Sequence, residues 1–111
     1  MRKYLDKYQQ AIRDNILVEF ILEHKGRENV VSTDKIVEYL ATKGYEMKPQ
    51  TVRVTLAGLI MERHLPICSL NAHGYYWAKT KQDILDCIAH LQARMDSLQE
   101  HINHLKNFIM E

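Results

Sequence analysis

Apolar residues recur along this chain at two different periods, and the places where the period changes divide it into elements. Leu5, Tyr8, Ile12, Ile16 and Phe20, with Leu17 or Ile21, return every three to four residues. That spacing predicts a first helix over about Lys3 to Lys25, with Gly26 as its C-cap. After a short connector, Arg27 to Val31, Ser32 is a good N-cap for a second helix, Thr33 to Lys43. This helix would bury Ile36, Val37 and Leu40 and stop at Gly44. Pro49 occupies a position tolerated in a first helical turn, and a third helix follows to about His64, with Val52, Leu56, Leu59 and Ile60 turned inward. Tyr45 and Met47, in the turn between the second and third helices, are read as core plugs.

Period two then takes over. Leu65 to Leu70 and Tyr75 to Lys79 read as two short strands joined by a tight turn, Asn71 to Gly74, whose glycine can adopt positive φ. Alternation sends Tyr76 to one face of this hairpin and Tyr75 with Trp77 to the other. One face would cap the core and the other would meet the start of the next helix. Thr80 is placed to N-cap that helix, with Asp83 at the third position completing a capping box. Along it, Ile84, Ile88, Leu91, Met95, Leu98, Ile102, Leu105 and Ile109 are spaced alternately four and three apart. They form a narrow apolar seam flanked mostly by polar residues, the pattern of a helix that pairs with another helix. Mostly Ile at a and Leu at d favours a parallel homodimer, although the flanking pairs, such as Arg94 with Gln99 and His101 with Lys106, supply no charge match to enforce it.

Two helices joined by a short turn and followed at once by a hairpin resemble the winged helix-turn-helix family over about residues 10 to 80. The stretch LPICSLNAHGYYWAKTKQDI, with Gly74, Tyr75 and Tyr76, is also similar to small bacteriophage and prophage winged-helix proteins whose second wing strand runs into a C-terminal helix. The expected fold class is α+β, mainly α. It comprises a winged helix-turn-helix domain of three helices and a two-stranded wing over residues 1–79, then a long C-terminal dimerisation helix over 80–111. The resemblance implies that the third helix enters the major groove of duplex DNA while the wing approaches the backbone or the minor groove. On this chain it makes Gln50, Thr51 and Arg53 the base-reading candidates, with Lys48 at the helix start, Asn71 and His73 at the wing tip, and Lys79 on a phosphate. Their chemistry suits the task, since Gln pairs bidentately with adenine, Arg with guanine, and Thr touches either a polar edge or a thymine methyl.

Charge modifies this picture only slightly. The chain of 111 residues carries a formal net charge of +1, with a modest basic excess between Lys48 and Lys81, where Glu62 is the one acid. No stretch is apolar enough to cross a membrane, no signal peptide opens the chain, and a cytoplasmic protein is expected. Cys68 and Cys87 lie in different elements and form no metal or redox motif, so they read as reduced thiols. His101 and His104 fall on either side of the seam, while His24, His64 and His73 belong to three separate elements; none of these forms a metal-ligand pattern. No catalytic motif is present, and neither an enzyme nor a cofactor is expected. The reading is a dimeric, sequence-specific double-stranded DNA-binding protein, a phage or prophage transcriptional regulator. The alternative is a small protein-interaction module that docks on a host or phage protein. That alternative draws on a thin reading surface, with Val54 and Ala57 next along the third helix.

Overall fold

The computed structural model describes residues 5–70 and 74–109. Three helices come first: α1 (Lys7–Leu22), α2 (Thr33–Thr42) and α3 (Pro49–Arg63). A hairpin of β1 (Ile67–Ser69) and β2 (Tyr75–Trp77) follows, then the 26-residue α4 (Lys81–Lys106). This is a winged helix-turn-helix arrangement extended by one helix, with the elements in the order that the hydrophobic periods predict.

Local chemistry explains most of the boundaries. Asp6 and Gln9 cap α1 reciprocally, and Thr80 and Asp83 do the same for α4. Ser32 Oγ accepts from Lys35 N–H at 3.2 Å to start α2. Lys43 caps the end of α2, and Gly44 follows at φ 88°, a left-handed value that costs glycine little. Pro49 opens α3, and His64, in left-handed backbone at φ 55°, closes it by donating its N–H to Ile60 O.

Two expectations for the first helix need correction. It ends at Leu22 with Glu23 as C-cap, so Gly26 is not its cap. Gly26, at φ 87°, instead donates its N–H to Trp77 O at 2.8 Å. The inward face is also rotated by one position from the predicted stripe. Leu17 and Ile21 are fully buried and Ile16 and Phe20 only partly, whereas Tyr8 is 76% exposed. A spacing of three to four defines a stripe, and its centre is set by where α2 and β2 pack against it.

The core gathers Leu17 and Ile21 of α1, Ile36 and Leu40 of α2, and Val52, Leu56 and Leu59 of α3. Met47 plugs it from the turn between α2 and α3, as expected. Each aliphatic side chain removed from water here contributes roughly 1.5–3 kcal/mol before entropy is subtracted.

The hairpin pairs Ile67 with Trp77, Cys68 with Tyr76 and Ser69 with Tyr75, antiparallel. Its second strand is not an edge. The connector between α1 and α2 lies along it, with Val31 and Tyr75 exchanging both backbone hydrogen bonds at 2.8 and 2.9 Å. Trp77 N–H donates to His24 O at 2.8 Å on the same side. The wing is thereby tied to the helical bundle, and the otherwise unpaired groups of β2 are satisfied. Alternation sorts the aromatics as predicted: Tyr75 and Trp77 pack against the core, and buried Tyr76 faces the start of α4.

Candidate nucleic-acid interface

Four of the residues expected to read DNA lie close together at one end of α3. Lys48 is its N-cap residue, and Gln50, Thr51 and Arg53 occupy the first turn and a half. All four are exposed, because Val52 and Leu56 take the inward positions between and beyond them. No side chain caps this helix end and its first turn carries no acid. Free backbone N–H groups and the positive end of the helix dipole therefore add to the charges of Lys48 and Arg53.

Tyr75 was not among the expected site residues. Burial raises its phenol above the ordinary value, and the positive charge of nearby Arg53 opposes part of that rise. The turn end of β2 thus lies within electrostatic reach of Arg53. Strand alternation could place Tyr75 on a face with Trp77, but no sequence spacing reports which helix that face meets.

The remaining positions differ. Lys79 pairs with Glu28 at 3.8 Å, an exposed contact that offsets part of its charge without withdrawing it from solvent. Arg63 donates to Asn15 Oδ1 at 2.7 Å, joining the end of α3 to α1. The wing-tip candidates Asn71 and His73 lie outside the described residues. Further along the outer face of α3, Val54 is 65% and Met61 76% exposed.

A second surface lies on α4, which has no buried residue and packs on the domain chiefly through β1. Asp83, Ile84, Cys87 and His90 are half-buried along that contact, so Ile84 is turned partly toward its own domain. Ile88, Leu91, Met95, Leu98, Ile102, Leu105 and Ile109 are 46–82% exposed. From Ile88 onward the seam is exposed along α4 and into the turn that follows it.

At the foot of α4 the Cys68 Sγ lies 4.0 Å from Asp83 O, with the Cys87 thiol nearby. Burial first, and the adjacent Cys87 thiol second, push the Cys68 thiol from 9.0 up to about 12. Burial and the Cys68 thiol likewise push Tyr76 up to about 12. Both cysteines are free thiols. Among the described residues no cluster of three or more His, Cys, Asp or Glu could hold a metal ion, and no helix is long and apolar enough to cross a membrane.

No family model, curated protein or solved structure matches the chain.

Proposed function

We propose that the protein binds double-stranded DNA sequence-specifically as a homodimer and acts as a transcriptional regulator of the phage or prophage kind. The observation that carries this reading is the exposed group Lys48, Gln50, Thr51 and Arg53 at the uncapped start of α3, on a winged-helix scaffold. Such a helix end fits a major groove, with Gln50 and Arg53 on base edges and Lys48 on a phosphate. The α4 seam would join two such heads, so the site would have two-fold symmetry with half-sites spaced by whole helical turns.

Selection from a random duplex library at two salt concentrations tests the proposal. It predicts an enriched palindrome, and Arg53→Ala should then weaken binding by about 1–3 kcal/mol and relax preference at a guanine position. Recovery of no motif, with binding that vanishes at the higher salt, would leave only backbone electrostatics and overturn it.

Exposed Val54 and Met61 favour a second reading, in which the outer face of α3 docks on a host or phage protein. A partner retained by the Gln50→Ala, Arg53→Ala double variant but lost with Val54→Asp would support it.

A further inference from the structure

We infer that α4 pairs with α4 of a second copy in an antiparallel register that sets Met95 against the partner's Leu98. This rests on the proposed dimer and specifies its geometry. The seam is self-complementary in that register from end to end. Ile88 meets the partner's Leu105, Leu91 its Ile102 and Met95 its Leu98, six layers within α4 when the two-fold is applied, and Ile84 faces Ile109 in the turn just past the partner's α4. Three of these four pairings set Leu against Ile or Met, in place of the like-on-like layers that parallel strands would make.

The flanks of the seam separate the two orientations. Half-buried Asp83, Ile84, Cys87 and His90 place the hairpin on the Cys87 side of the seam. Phe108, 73% exposed, lies on that same side at the far end of the helix. In an antiparallel pair like flanks meet, so the partner's Phe108 comes beside Cys87, on the flank where α4 packs against the hairpin. In a parallel pair each flank meets the opposite one, and Phe108 stays about 30 Å or more from either hairpin at a 1.5 Å rise per residue. The antiparallel register also carries the two winged-helix domains to opposite ends, with the starts of the two α4 helices about 45 Å apart along the axis.

Dipolar distance measurements on the full chain decide the matter. A spin label is attached through a genetically encoded azide side chain replacing Asn107 in one sample and Ala93 in another, leaving both cysteines intact. Both positions face away from the seam. The antiparallel register predicts about 35 Å between labels at 107 and about 20 Å at 93. Equal distances of about 20 Å at both positions would overturn the inference while leaving the dimer standing. Absence of any dipolar coupling at both positions, at concentrations where Ala93 and Asn107 variants keep the native melting temperature, would overturn the dimer itself.

Discussion

Gly74 shows how one residue can hold the wing to the bundle. It sits at φ 129°, buried against the connector, and a Cβ added there would run into the carbonyl oxygen of Val31. That carbonyl accepts from Tyr75 N–H, so it has little freedom to retreat. Gly74→Ala is therefore expected to destabilise the fold by about 2–3 kcal/mol or more, combining backbone strain with loss of the Val31–Tyr75 pair. Denaturant unfolding should show it as a lower midpoint with an unchanged slope. At the same scale, the sequence singled out Gly74 for its turn but not for this closeness, because the clash is with a residue more than forty positions away. Arg53 is a parallel case. Its exposed place early in α3 followed from Val52 and Leu56 being inward, whereas the effect of its charge on Tyr75 depended on how the hairpin folds back.

Among the elements, those whose ends carry their own chemistry were the most legible. Ser32 and the Thr80–Asp83 capping box mark helix starts through bonds made within four residues, Pro49 marks one through its fixed φ, and the structure starts all three helices there. Helix α1 was less legible at its end, since Gly26 has the look of a cap and is used instead to meet β2. The pairing of the connector with β2 was not foreseen at all: Val31 is a single bridging residue, too short a stretch to show alternation. Where β1 and β2 meet α4, burial of acidic groups has a measurable consequence. Cys68 and Tyr76 hold their protons up to about 12 when folded, above their ordinary 9.0 and 10.0. The unfolded chain then releases protons at lower pH, so raising the pH favours unfolding. Their contribution is complete below about pH 9 and should be lost progressively between about 9 and 12. Thermal melts across that window should show the fall. Tyr76→Phe should make it shallower by removing one of the two groups, and an equally steep fall in that variant would exclude Tyr76 as a source.

For the whole molecule, the exposed seam divides stability from assembly. Leu98 is 55% exposed in the single chain and touches none of the core residues of the winged-helix domain. Replacing it should leave that domain intact while placing a carboxylate at the middle of any helix pair, where an unpaired charge is expensive to bury. Leu98→Asp is accordingly expected to run as a monomer in sedimentation at concentrations where the parent protein is a dimer. Its melting temperature should no longer fall on dilution, whereas that of the parent should. DNA affinity supplies a second readout. In the proposed dimer the second head's contact with a palindrome would be effectively intramolecular, so separating the heads should weaken binding by about 100-fold or more. Binding to a single half-site should change little, because Lys48, Gln50, Thr51 and Arg53 lie on a different element from the substitution. The combination is diagnostic: loss on the palindrome with retention on the half-site assigns α4 to coupling the heads. Equal loss on both would mean that the helix contributes to each head directly. A variant that stays dimeric would place the self-association surface away from the seam, the exposed Tyr8 face of α1 being the next apolar surface to test.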